Sequence, residues 1–167
     1  MNLIVRQVTL GDAEGITNVL NPIIIEGLYT VLDTPFTPEE EKEFITHFPE
    51  RGGVFTVALS ENSSQVIGFQ NIEPFAQYTK AFDHVGIIGT FVSDGARGQG
   101  VSKQLFKSTF EVAKQKGYEK LFAYVRSDNE RALSAYLKQG FEIVGTAKKH
   151  AKVRGKYVDE VLIEKFL

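Results

Sequence analysis

Cysteine is absent from this chain of 167 residues. That absence excludes disulfides and a thiol nucleophile, and it fits a cytoplasmic protein. Histidine is scarce: His47, His84 and His150 stand far apart without ligand spacing, so no metal site is expected. No apolar run approaches the roughly 20 residues of a membrane span. The opening MNLIVRQVTL has neither the charged head nor the apolar core of a secretory signal, so no membrane partner is expected. Charge of neither sign dominates: 19 Lys and Arg against 21 Asp and Glu leave a net charge of −2 and a pI near 6.0. A nucleic acid or an anionic membrane surface would select a basic face, so neither is an expected partner. What is present is 43% hydrophobic content, enough for the core of one globular domain over 1–167.

Along the chain, NLIVRQVTL alternates as a strand, and AEGITNVLNPIII reads as a helix that Pro22 interrupts or kinks. Thr37-Pro38-Glu39-Glu40 has the composition of a helix start, with a capping hydroxyl, a proline at the first position and carboxylates in the first turn. That helix is expected to run to about Phe48. GVFTVALS and QVIGFQNIEPF form a hairpin across ENSS, and HVGIIGTFV is apolar on both faces, as a central strand is. After SDGARGQG, one apolar row (Val101, Leu105, Val112) and a second (Phe106, Phe110, Ala113) mark a helix that ends at Lys116-Gly117. KLFAYV is a buried strand. SDNERALSAYLKQG reads as a helix opened by a Ser127-x-x-Glu130 capping box, and FEIVGTA and KYVDEVLIEKFL are the last strands, with KKHAKVRGK as the loop between them. Hairpins at both ends and a strand-helix-strand crossover between HVGIIGTFV and KLFAYV predict a mixed sheet.

The chemistry concentrates at ARGQGVSKQLF, where Gly98 and Gly100 precede a helix. A helix start offers unpaired N–H groups to an anion, and glycine removes bulk around it. A P-loop would need Gly-Lys-Ser/Thr after the last glycine, but Gly100 is followed by Val101-Ser102-Lys103. A dinucleotide fold would need Gly-x-Gly-x-x-Gly, and this pattern fails as well. Alone, the glycines fit a phosphate cradle and a structural turn equally.

Two motifs at matching spacing decide between them. Arg97-Gly98-Gln99-Gly100-Val101-Ser102 fits Arg/Gln-x-x-Gly-x-Gly/Ala, with Ser102 in the last, small position. Asn129, Ala132, Tyr136, Gly140 and Phe141 fit Asn-x-x-Ala-x-x-x-Tyr-x-x-x-Gly-Phe. The chain thereby resembles the GNAT superfamily of acetyl-CoA-dependent N-acetyltransferases, closely over 84–167 and in element order before that. The resemblance implies an α/β fold of the α+β type, with a mixed central sheet whose parallel central strands splay apart between flanking helices. Gly89 is the expected place for a bulge that helps them part.

The resemblance also implies roles. Arg97, Gly98, Gln99, Gly100, Val101 and Ser102 would cradle the pyrophosphate of acetyl-CoA. Phe91, Val92 and Ser93 would hold its pantetheine arm as an added strand, and Asn129 would touch it near the second helix. Tyr136 would donate a proton to the departing thiolate after direct attack by an amine. A backbone N–H around Phe91 or Val92 would hold the developing oxyanion. The strand midpoint lacks the carboxylate some relatives carry there, which leaves Glu73 as the expected base, with His84, Asp33 or water as alternatives. The acceptor, contacted by IIEGLYTVLDTPFTPEEE and by the loop after FEIVGTA, is expected to be a small-molecule primary amine of the phosphinothricin or amino-acid type. Rival readings are a protein N-terminal or lysine acetyltransferase, a non-catalytic acyl-CoA-binding module, and a structural α/β protein. A homodimer is the family expectation for assembly.

Overall fold

The computed structural model describes residues 3–48 and 52–167. The alternating opening forms strand β1 (Leu3–Gln7), with Asn2 outside the described residues. Helix α1 (Ala13–Glu26) then continues uninterrupted through Pro22, which the sequence offers as a point of interruption or kinking. Proline removes one backbone donor there, but Ile16, Val19, Leu20, Ile23 and Ile24 are buried along one face, and that packing outweighs the lost bond. The helix ends on Gly27 in the left-handed region, φ +72°. Helix α2 (Pro38–His47) starts as its composition predicts: Thr37 accepts from the Glu40 N–H at 3.2 Å while the Glu40 carboxylate takes the Thr37 N–H at 2.8 Å.

Strands β2 (Val54–Ser60) and β3 (Val66–Pro74) form the expected hairpin, and β4 (Val85–Val92) extends it. Helix α3 (Val101–Gln115) crosses to β5 (Lys120–Arg126), which lies parallel to β4. Helix α4 (Glu130–Leu137) opens on Asn129, whose side chain accepts from the Ala132 N–H at 3.1 Å. The expected Ser127 cap does not form, because the Ser127 N–H is drawn to the Asp159 carbonyl and the chain turns into the helix two residues later. Strand β6 (Glu142–Val153) continues through Lys148–Val153, which had read as loop, with irregular pairing between Ala147 and Ala151. The turn to β7 (Lys156–Phe166) is Arg154-Gly155 with φ of +49° and +79°, a geometry that suits a tight hairpin.

The seven strands form one mixed sheet in the order β1-β2-β3-β4-β5-β7-β6, with β4 at its centre. Helices α1 and α2 cover one face through Ile16, Ile24, Phe48, Phe55 and Phe69. On the other face α3 and α4 pack Phe106 and Tyr136 over Ile72, Ile88, Leu121 and Ile163.

The segment after α1 is tied down by cations from the far half of the chain. Arg126, 7% exposed, grips Asp128 with two parallel bonds (2.9 and 2.8 Å) and donates to the carbonyls of Gly27 and Thr30 at 2.9 and 3.0 Å. Arg154 donates to the last carbonyls of α1, Ile24 and Ile25, where the helix dipole favours positive charge. Removing the Arg126 guanidinium strands two carbonyls, while the half-exposed Asp128 returns to water. Arg126→Ala is therefore expected to lower the unfolding free energy by about 2–3 kcal/mol, read from urea denaturation followed by circular dichroism.

Candidate active site

The site begins where two strands stop pairing. Strands β4 and β5 pair only at Val85 with Lys120, Gly86 with Leu121 and Ile87 with Phe122. Beyond Ile87, β4 stays on β3 to Val92 while β5 stays on β7 to Arg126, so a gap opens between them. The β3–β4 register is unbroken, and Gly89 is not a bulge. A Cβ at Gly89 would lie 2.9 Å from the Asn71 Oδ1, so the glycine makes room for that side chain. Backbone direction alternates along β4. The Ser93 N–H and the Val85 carbonyl bond to β3, and the His84 carbonyl accepts from β5. By this alternation the N–H groups of Thr90 and Val92 face the gap, whereas that of Phe91 faces β3.

One cleft, of about 650 Å³, opens on the α3–α4 side of this gap. Gly98 and Gly100 line it with φ of +75° and +83°, and Gly100 caps α3 with no side chain. Their first requirement is thus conformational. A Cβ built at either would meet no protein atom within 4 Å, so the space beside them is open. The helix bonds start with the Gln104 N–H on the Gly100 carbonyl, which leaves the N–H groups of Val101, Ser102 and Lys103 available to an anion. Arg97, Lys103, Arg131 and Lys138 line the cleft, and no carboxylate does among the described residues. This donor set fits a polyphosphate. The Arg97 guanidinium is already committed: it bonds Asp94 at 2.9 Å and the Val92 carbonyl at 3.3 Å, and lies 4.7 Å from the centre of the Tyr29 ring. Asn129 also lines the cleft, its oxygen capping α4 and its nitrogen bonded to the Tyr29 carbonyl at 3.2 Å. Ser93 and Gln99 stand outside the cleft lining. The Ser93 N–H completes the β3 pairing, and the Gln99 amide folds back to the Gly95 carbonyl at 2.7 Å.

Tyr136 reaches the gap from α4 and is 6% exposed. Its hydroxyl lies 2.8 Å from the Thr90 Oγ1, which receives the Gln70 Nε2 at 3.0 Å. The Gln70 oxygen is buried without a partner; reversing the amide would leave its two N–H groups unpaired instead. Thr90 accepts from Gln70 and shares a second hydrogen bond with the tyrosine hydroxyl in which either oxygen can donate. The Ile88 carbonyl lies 3.5 Å from the tyrosine oxygen, a distance at which it accepts weakly. Burial pushes the phenol up to about 12, against the opposing effect of Thr90.

A second cleft, about 870 Å³, lies on the α1–α2 side and shares the Phe91 wall with the first. The Phe91 ring is held by stacking on Phe69 at 4.9 Å. Glu73 lines this cleft from β3, opposite Ile87 where the strands part. His84 and Asp33 line neither cleft: His84 sits at the closed end of the β4–β5 pairing, and Asp33 is exposed and accepts from its neighbour Thr34. His150 and Glu160 line the cleft from β6 and β7, their side chains 3.9 Å apart, with His150 stacked on Tyr124. Glu41 lines it from α2 and is 5% exposed.

The acetyltransferase (GNAT) family model matches residues 25–141. The phosphinothricin N-acetyltransferase of Streptomyces coelicolor is 26% identical over 155 residues, covering 92% of this chain and 90% of that protein. The chain belongs to the GNAT acetyltransferase family. Two solved structures share its fold at a TM-score of 0.90. A ribosomal-protein-alanine N-acetyltransferase from Brucella melitensis is 24% identical, covering 98% of this chain and 99% of that one. A phosphinothricin acetyltransferase from Sinorhizobium meliloti, in complex with acetyl-CoA, is 22% identical, covering 100% and 89%. Those acceptors differ while the fold does not, so the acceptor is to be read from side chains in the cleft.

This GNAT acetyltransferase, whose co-substrate is acetyl-CoA, carries residues that the motifs did not reveal. Gln70 and Thr90 are polar positions inside the apolar runs IGFQNI and IIGTFV, and that interruption was the available signal. Glu41 closes IIEGLYTVLDTPFTPEEE, the segment expected to contact the acceptor, but the motifs did not single it out from the carboxylates beside it. Yet Glu41, Phe44, Ile45 and Phe48 follow the i, i+3, i+4, i+7 spacing of one buried face.

Burial alone raises the Glu41 carboxyl to about 7. The folded protein therefore holds this proton more tightly than the unfolded chain, and stability falls as pH rises from about 4.5 to about 7. Glu41→Gln removes that fall. The variant is expected to be more stable than the parent by about 2 kcal/mol above pH 7, with the difference vanishing near pH 4, in paired thermal melts across pH.

Proposed function

We propose that the protein transfers the acetyl group of acetyl-CoA to the primary amine of a small molecule by direct attack, both substrates being bound together. The observation that carries this reading is the division of charge across the β4–β5 gap. A cleft lined by cations and unpaired helix N–H groups meets a cleft lined by carboxylates at Phe91, with the Tyr136 hydroxyl at the gap. The S. coelicolor relative, named for a small-molecule acceptor, supports the acceptor class.

Acetyl-CoA supplies the acyl group as a thioester. The backbone from Gly98 to Ser102 would receive its pyrophosphate, with Lys103, Arg131 and Lys138 adding positive charge. Arg97 holds the loop and Tyr29 in place and does not reach outward. Asn129 supports this wall by joining α4 to the Tyr29 carbonyl. The gap-facing edge of β4 would pair with the pantetheine arm, and the Val92 N–H, rather than that of Phe91, would face the carbonyl oxygen as it gains charge.

The amine nitrogen bonds to the acyl carbon as the carbon–sulfur bond breaks and its electron pair leaves on sulfur. Glu73 takes the proton lost by the amine. Tyr136 holds the departing sulfur by a hydrogen bond. A phenol at about 12 stands well above an ordinary thiol at about 8.5, so complete transfer of its proton is uphill. Cytoplasmic location and a homodimer are part of this proposal, the latter supported by exposed Ile143 and Val144 on the edge strand β6.

Calorimetry with acetyl-CoA followed by a thiol-release screen against amines tests the reading. Release is expected; binding without release would make the protein a binding module, and no binding would remove the cradle. Tyr136→Phe is expected to lower kcat about 100-fold with acetyl-CoA affinity retained, and Thr90→Val about tenfold, with Thr90→Ser restoring the rate. Steady-state kinetics at full turnover in Tyr136→Phe would take the tyrosine out of the reaction. Glu73→Gln is expected to lower kcat/KM about 100-fold at neutral pH with acetyl-CoA affinity retained, in steady-state kinetics and calorimetry.

A further inference from the structure

The second cleft has a charge pattern that acetyl transfer alone does not require. Its wall carries Glu40 and Glu43 beside Glu41 on α2, Glu73 on β3 and Glu160 on β7. His47, Tyr124 and His150 are the other titratable side chains there, with no Lys or Arg among the described residues of the wall. Most of these carboxylates have company. Glu40 caps its own helix through Thr37, and Glu160 lies 3.9 Å from His150. Glu41 differs: it is 5% exposed, and among the described residues its carboxylate makes no hydrogen bond or ion pair.

A buried carboxylate without a partner is costly in a folded protein, and a cation seated against it relieves that cost. The apolar neighbours Phe44 and Phe55, also in the wall, lower the local dielectric and strengthen such a contact. An acceptor bearing a carboxylate or phosphinate would meet five carboxylates in this wall. An acceptor bearing a second ammonium would meet its complement.

We propose that the acceptor is a small dication, a diamine or polyamine without an anionic group, and that Glu41 holds the ammonium that is not acetylated. This inference rests on the acetyl-transfer reading above and adds the substrate class to it. Its upward-shifted acidity agrees with a group that lacks a counter-charge until a ligand brings one.

The test uses the full chain with acetyl-CoA and thiol release against 1,4-diaminobutane, spermidine, butylamine, methionine and phosphinothricin. The expected kcat/KM for the diamine exceeds that for butylamine by at least about tenfold and that for the two amino acids by more than about 100-fold. In Glu41→Gln the diamine-to-butylamine ratio is expected to fall at least about tenfold, mostly through KM. Faster turnover of methionine or phosphinothricin than of the diamine overturns the proposal, as does an unchanged ratio in Glu41→Gln. Thiol release from no amine at all would overturn acetyl transfer itself. The acceptor site is then still decided by calorimetry with 1,4-diaminobutane: binding that Glu41→Gln weakens at least about tenfold supports it, and absence of binding overturns it.

Discussion

The proposed function depends on the parting of β4 from β5 after Ile87 and Phe122. A parallel pair that kept its ladder would satisfy its own backbone and close the sheet. By separating, the two strands leave gap-facing N–H groups at Thr90 and Val92 in a place where a sheet is normally continuous. A buried backbone donor needs a partner, so the gap is a site that an extended ligand can complete as a missing strand would. The strands separate without a bulge in β4, because each remains fully paired to its other neighbour.

The gap also connects faces that the sheet otherwise isolates. On one face α3, α4 and the residues flanking them bring four cations and a bare helix start to the cleft; on the other, α2, β3 and β7 bring carboxylates. If the acceptor is cationic, as proposed, opposite fields on the two sides of one opening would orient the two substrates toward a common point. Tyr136 stands at the gap, hydrogen-bonded to Thr90, which Gln70 holds in place. The network is short and buried, and it fixes the position of the phenol.

Distant parts of the chain hold this arrangement in register. Arg126 and Asn129, at the end of β5 and the start of α4, bind the carbonyls of Gly27, Tyr29 and Thr30, and Arg97 covers the Tyr29 ring. The segment between α1 and α2, which leads into the second cleft, is thereby fastened to the same elements that form the cationic cleft. Arg154 adds a contact from the β6–β7 turn, so the basic stretch KKHAKVRGK serves largely as structure: Lys148 pairs with Asp159, and Lys149 and Lys152 lie over Tyr157.

Local pattern in the sequence determined the elements and their order. Alternation placed the strands, the Thr37 box and the glycine stops placed helix ends, and two motifs at matching spacing identified the GNAT family. It did so because those features act over a few residues, within reach of backbone sterics and capping bonds. The readings that failed locally were decided by long-range contacts: α1 continues through Pro22 because its buried face is held, and KKHAKV is strand because β7 lies beside it. The same holds at the site. Arg97 resembles a phosphate ligand in the motif, but Asp94, Val92 and Tyr29 converge on it only in the fold. Tertiary structure alone decided that the N–H of Val92 rather than that of Phe91 faces the gap, that Ser93, Gln99, His84 and Asp33 stand outside the clefts, and that Glu41 is buried without a partner among the described residues. Those outcomes depend on strand pairing and on which helix face meets the sheet, and distances between residues far apart in the chain are set by packing.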